Sequence, residues 1–228
     1  MIPEQPIQEF LWTVILSVYA LLVVYLTKYL YEFMVKRKIK EKDAIYYNSK
    51  LVHIFAGGVI ALVVPILFTS PLFPLLCGLS ITGFTFFSHK RGTMLYWFQM
   101  KDNLNDVSFC FMWGIAIFVL WLIMDNSWIA IIPPVFIAFG DGITGIVRNS
   151  LFKKRSKHPV GNLFMAAFCI PIGYTLGNIG GMAVGGATAG IVASIVERYE
   201  IGPIDDNILI TLSSSIVLFL FYFLVNYG

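Results

Sequence analysis

The sequence predicts an all-α integral membrane protein, a polytopic bundle of about eight transmembrane helices, with seven as the other count, and with both termini outside. Three observations predict it. The 228 residues are 58% hydrophobic and only 13% charged, with a mean hydropathy of +0.79, which is more apolar surface than a soluble core of this size could hide. Apolar stretches long enough to cross a bilayer, at ~20 residues per crossing, recur along the whole chain. Nearly all the basic residues fall in alternate loops.

The first stretch, 9–35, has no Lys or Arg before Lys28, and Glu4 and Glu9 stand at its start. That flank and its length set it apart from a signal peptide, so it is expected to stay in the mature protein. Lys28 and Glu32, four apart near its inner end, are expected to form a local ion pair. Stretches at 51–69, 71–88, 107–125 and 127–147 follow. The next two, 163–177 and 178–196, are short and glycine-rich with "GNIGG" as their only turn, and this pair is what leaves seven helices as an alternative. Gly177, Gly181, Gly185, Gly186 and Gly190 recur at roughly helical spacing, which favours close helix contact. The last stretch, 207–227, carries no charge after Asp206. Cys77, Cys110 and Cys169 fall singly in different stretches, so they read as packing residues.

With eight crossings, the loops on one side hold six, three, five and one Lys or Arg, together 15 of the chain's 16, the remaining one being Lys28. The opposite loops, "TSP", "DNS" and "GNIGG", hold none. The positive-inside rule places the basic loops in the cytoplasm. The run "KRKIKEK" at 36–42, and Lys153, Lys154 and Arg155, read as topology determinants and contacts for anionic headgroups. The segment "MLYWF" at 94–98 reads as an interfacial aromatic belt or a short amphipathic cover. The chain reads as a single transmembrane domain, 1–228, whose first helix, 9–35, is peripheral to a catalytic core at 48–211.

The polar clusters gather on the basic side: "NSKLVHIFAGG", "HKRG", "KDNLND", "GDGITGIVRN" and "KKRSKHPVGN". A transporter would place polar groups near the bilayer midplane. An arrangement at one surface suits an enzyme that joins a water-soluble reactant to a lipid. Asp141, between Gly140 and Gly142, could hold a divalent cation bound to phosphates, since the glycines permit unusual backbone angles and close approach of a ligand. Lys50 and His53, three apart, share one side of a helix start. Asp205, Asp206 and Asn207 open the last helix, where capping explains one carboxylate but not both. With Glu197 upstream and several cations on the same side, these residues look like a metal and polyphosphate arrangement.

"SKLVH", "GDGITGIVR", "KHPVGN", "VE" and "DDNILIT", in that order, resemble the polyprenol kinase family, which includes dolichol kinase, phytol kinase and the CTP-dependent diacylglycerol kinase. The resemblance covers about 48–211. Five features depart from the family pattern: Ser49 stands for an Arg, Val160 for a Glu, Asn162 for a Ser or Thr, Thr211 for a Pro, and the usual glycine before the basic residue of "GDGITGIVRN" is missing. The resemblance implies transfer of the γ-phosphoryl group of CTP to the hydroxyl of a long isoprenoid alcohol such as dolichol, with Mg²⁺. It implies that Asp141, Asp205 and Asp206 organise the metal, with one of them or Glu197 accepting the alcohol proton. Lys50, Arg148 and Lys157 would bind phosphate oxygens and His53 would orient phosphate or substrate, while Gly140, Gly142, Gly161 and Asn207 complete the nucleotide site. Expected partners are the lipid alcohol, the nucleotide and the bilayer, with a homodimer open and no nucleic acid. The expected membrane is the plasma membrane in a prokaryote, and the endoplasmic reticulum or a plastid in a eukaryote. The alternatives are a diacylglycerol kinase, a CDP-alcohol-type transferase, whose further spaced aspartates are missing after "DGITGIVR", and a non-enzymatic lipid transporter.

Overall fold

A computed structural model describes residues 2–152, 158–199 and 204–227. The described chain forms eight helices: α1 (Pro6–Lys36), α2 (Glu41–Leu67), α3 (Leu72–Arg91), α4 (Asn105–Met124), α5 (Ser127–Phe152), α6 (Pro159–Ile179), α7 (Ala183–Val196) and α8 (Asp206–Tyr227). Seven are long and apolar enough to cross a membrane, which makes this an integral, multi-pass membrane protein.

The shorter α7 has 14 residues, about 21 Å of helix. Its ends nevertheless tie to opposite ends of α5. Asn126, just before α5, donates to the Gly180 carbonyl just before α7 at 2.9 Å, and Arg148 near the end of α5 grips Glu197 just after α7. The chain therefore returns along the bundle between α6 and α8, giving eight passes and putting both chain ends opposite the basic loops.

Local chemistry sets the boundaries. Pro6 and Pro159 occupy first turns, where a missing N–H costs nothing. Gly92 and Asp125 end α3 and α4 in the left-handed region, at φ +67° and +48°. The Asn126 side chain caps α5 by accepting from the Ile129 amide at 3.1 Å. The largest boundary difference is at α2, which begins at Glu41 and not near residue 51. Residues 41–50 are amphipathic, so a purely apolar criterion misses them, while Glu41 and Asp43 suit the first turn's dipole.

Helix α5 is the centre: 83% of its apolar window is buried inside the protein, against 6% for α1. Ile129, Ile131, Ile132, Val135, Phe136 and Ile137 are fully enclosed, meeting Ile117 of α4, Met165 and Cys169 of α6 and Ile210 of α8. Two turns are π-helical, His53–Gly58 in α2 and Phe136–Gly140 in α5, and they pack against each other. The glycine stripe does its work between α6 and α7, where Gly173 and Gly186 approach backbone to backbone and Gly190 lies on the Cys169 carbonyl. Gly181 and Gly185 are the exceptions: Gly181 forms the turn before α7 at φ +81°, and Gly185 faces Phe221 of α8.

Lys28 does not pair with Glu32; its ammonium lies 5.8 Å from the centre of the Trp97 ring. The 94–98 segment forms a turn, not a helix, anchored by the Trp97 indole N–H to the Val24 carbonyl at 3.1 Å.

A methyl group at Gly186 would collide with the Gly173 carbonyl, whereas one at Gly83 meets nothing within 4 Å. Gly186→Ala should cost roughly 1–3 kcal/mol by overpacking, and Gly83→Ala should hold or raise stability, by up to about 1 kcal/mol from helix propensity. Thermal unfolding in detergent reads both; equal Tm values for the two variants would contradict the close α6–α7 contact.

Candidate functional site

At the basic end of the bundle, α2, α5, α7 and α8 bring Lys50, Asp141, Arg148, Glu197 and Asp206 to one cleft. Asp141, Glu197 and Asp206 are buried, at 2%, 1% and 4% exposure, and each offers an oxygen within 4.8 Å of the other two. Buried carboxylates this close require compensation.

The compensation comes from two cations. The Lys50 ammonium donates to Asp141 Oδ2, and Lys50 is itself buried. The Arg148 guanidinium donates to both oxygens of Glu197, at 2.5 and 2.6 Å. It also donates from Nε to the His158 carbonyl at 3.0 Å and from Nη2 to Asn162 Oδ1 at 3.1 Å. Four of its five N–H groups are thereby engaged within the protein. Arg148 thus holds Glu197 in place more than it offers donors to a ligand. In ionised form the three carboxylates and two cations sum to one negative charge.

The adjacent aspartates divide. Asp205 accepts from the Ser108 hydroxyl of α4 and from the Ile208 amide at 3.1 Å, which makes it the cap of α8. Burial pushes its carboxyl above the ordinary carboxylate range, with those two donors pulling the other way. Asp206, one residue on, turns into the carboxylate cluster. Asn207 donates to the Asn105 carbonyl at 3.0 Å and to Ser108 Oγ at 3.2 Å, fastening α8 to α4.

His53 lines the cleft, stacked on Phe109 with ring centroids 3.9 Å apart, and its Nδ1 is buried with no hydrogen-bond partner. The three predicted glycines serve packing. Gly140 faces Cys169, Gly142 faces Ile54, and Gly161 gives the Arg148 side chain room to pass. The backbone at Asp141 is helical, with φ −66° and ψ −36°, so no unusual angle is used there. Lys157 lies outside the described residues, as do Lys153, Lys154 and Arg155. At the departures from the family pattern, Asn162 joins the Arg148–Glu197 pair, and the Val160 amide donates to His158 Nδ1 at 3.2 Å.

Sequence reasoning missed a second polar group in the cleft. Asp106, 7% exposed, accepts from Gln99 Nε2 at 2.6 Å and lies 3.0 and 3.2 Å from His89 Nε2. The clusters "HKRG" and "KDNLND" were visible as polar, but nothing in them marks which residue turns inward. No protein-family model, no curated protein and no solved structure matches this chain.

Removing one partner of the Arg148–Glu197 pair strands a buried charge. Arg148→Ala should destabilise by about 3–5 kcal/mol, and Arg148→Met combined with Glu197→Leu should recover most of the loss. Chemical denaturation in detergent micelles checks this; a double variant no better than Arg148→Ala would mean that the loss comes from packing and not from charge.

Proposed function

We propose that this protein is a divalent-cation-dependent phosphotransferase that moves the γ-phosphoryl group of a nucleoside triphosphate to the hydroxyl of a membrane alcohol. The motif resemblance makes the donor CTP and the acceptor a long isoprenoid alcohol of the dolichol or polyprenol type. The positive-inside rule puts the reaction at the cytoplasmic face. The observation that carries this reading is the cluster of Asp141, Glu197 and Asp206, within 4.8 Å of one another and flanked by Lys50 and Arg148, at the basic end of a membrane bundle.

Phosphoryl transfer asks for positioning and charge stabilisation more than for covalent chemistry. The donor set fits Mg²⁺, which takes hard oxygen ligands, commonly one or two carboxylates with phosphate oxygens completing the shell. Asp141, Asp206 and Glu197 would hold the ion, which would neutralise charge on the phosphate oxygens. The residual negative charge of the cluster also favours a dication there. Lys50, with one ammonium donor on Asp141, has others to offer a phosphate oxygen. Arg148 and Asn162 fix Glu197. Asp205, as the cap of α8, aims Asp206 inward. The alcohol arrives from the bilayer with its chain among the apolar helices, and the nucleotide arrives from water at the cleft mouth.

Purified protein in detergent should transfer label from γ-labelled CTP to dolichol or a shorter prenol, with less transfer from ATP or to diacylglycerol. Asp141→Asn and Asp206→Asn should each lower kcat by at least ~10²-fold, and chelation of divalent cations should abolish transfer. No labelled lipid from either nucleotide, in protein shown to be folded, would overturn the reading. Label on diacylglycerol alone would keep the chemistry and replace the acceptor.

A further inference from the structure

The cleft holds four carboxylates, and their surroundings differ. Asp141 is held by the Lys50 ammonium and Glu197 by the Arg148 guanidinium, and Asp206 belongs to the cluster these two form. Asp106 is separate. Among the described residues, the side chains hydrogen-bonded to it are those of Gln99, through Nε2 at 2.6 Å, and His89, through Nε2 at 3.0 Å, and neither is a lysine or arginine.

Its orientation is fixed from behind. Gln99 Oε1 accepts from the Leu95 amide at 2.6 Å and from Ser88 Oγ at 3.3 Å, which leaves the Gln99 amide nitrogen to donate to Asp106. Ser88, Gln99 and Asp106 are all buried. His89 sits in the last turn of α3 and Asp106 in the first turn of α4, so the network ties two helices together while the carboxylate itself lines the cleft.

Apolar side chains accompany it. Phe98 and Met100, from the connection between α3 and α4, line the same cleft as Asp106. This places a carboxylate beside an apolar lining, in a space whose other polar groups suit phosphates and a cation. A proton acceptor works best when no permanently charged lysine or arginine neutralises it, because a carboxylate so paired is a weaker base.

Resting on the phosphotransferase reading, we infer that Asp106 is the general base that takes the proton of the acceptor alcohol, with Gln99 and His89 as positioning residues and Phe98 and Met100 seating the adjoining apolar chain. In that step the alcohol O–H bond breaks and its proton passes to an Asp106 carboxylate oxygen. The alcohol oxygen forms a bond to the γ-phosphorus as the bond from that phosphorus to the β,γ-bridging oxygen breaks. The nucleoside diphosphate leaves, and the proton passes from Asp106 to water at the cleft mouth.

The test measures kcat, KM for the nucleotide and Mn²⁺ binding by electron paramagnetic resonance on wild type, Asp106→Asn, Asp106→Glu, His89→Ala and His89→Gln. Asp106→Asn should lose ~10²–10⁴-fold in kcat while Mn²⁺ affinity and nucleotide KM stay within about threefold of wild type. Asp106→Glu should recover part of kcat, and His89→Gln, which keeps an N–H donor, should recover part of what His89→Ala loses. Retained Mn²⁺ binding certifies that the variants fold. The inference is overturned if Asp106→Asn keeps kcat within about threefold of wild type, or if the variant, shown to be folded by its thermal melt in detergent, loses Mn²⁺ binding along with activity, which would make Asp106 part of the metal site. Active wild type with an active Asp106→Asn sinks this inference alone. Wild type without transfer sinks the phosphotransferase reading, and this inference with it.

Discussion

Three carboxylates buried within 4.8 Å of one another set the terms for the rest of the molecule. At an effective dielectric constant of ~20, unit charges that far apart repel by about 3.5 kcal/mol per pair. Such a cluster persists only if positive charge is buried with it. Lys50 comes from α2 and Arg148 from α5, and they reach carboxylates on α5 and just beyond α7. The basic end of the bundle is therefore joined by charge as well as by packing, and α8 enters through Asp206. The two members of each ion pair come from different parts of the chain, so the site exists only once the passes have assembled.

The helices must present these side chains in the right direction, and the two π-helical turns bear on this directly. Each residue added to a helical turn rotates everything after it by about 100°. The turn Phe136–Gly140 ends immediately before Asp141, and the turn His53–Gly58 begins three residues after Lys50. Asp141 therefore points where it does because one residue more than an α-helix would use has been wound into α5 just before it. Close contact is possible because Gly57 and Gly58 leave room for the Phe109 and Phe139 rings. A side chain at Gly58 would press on α5, the helix that carries Asp141, and one at Gly57 would press on Phe109 of α4.

The fold was legible because each apolar run declares itself locally and the basic loops fix the alternation. What failed locally was the start of α2, where an amphipathic turn hides a helix from an apolar criterion. The site was legible as a set of residue types: Lys50, Asp141, Arg148, Glu197 and Asp206 do converge. Their pairing was not, because adjacent helical residues point about 100° apart and only the packed structure tells which of them faces inward. Asp205 and Asp206 are the clearest instance, one capping the helix and the other joining the cluster. The glycines of "GDG" were read as openings for a ligand, yet they are openings for neighbouring side chains, since small residues look alike in sequence whichever of these they admit. Asp106 was hidden for the opposite reason: an aspartate in the first turn of a helix resembles an ordinary dipole-stabilised residue until His89 and Gln99 are seen around it.

The position of the cluster along the bundle follows from competing costs. Ionised side chains at the middle of a bilayer are expensive, and the cost falls toward the interface. A site at the helix ends keeps the carboxylates buried yet close to water, where on the phosphotransferase proposal a nucleotide would reach them. On the phosphotransferase proposal an alcohol would arrive sideways from the lipid, where the α3–α4 connection places apolar Phe98 and Met100 next to the polar cleft. The core that supports this arrangement lies farther along α5, where Ile129 to Ile137 are enclosed by α4, α6 and α8. The packed core thus lies below the site and the cleft above it, the division that the proposed reaction between a membrane-bound and a water-borne substrate would require.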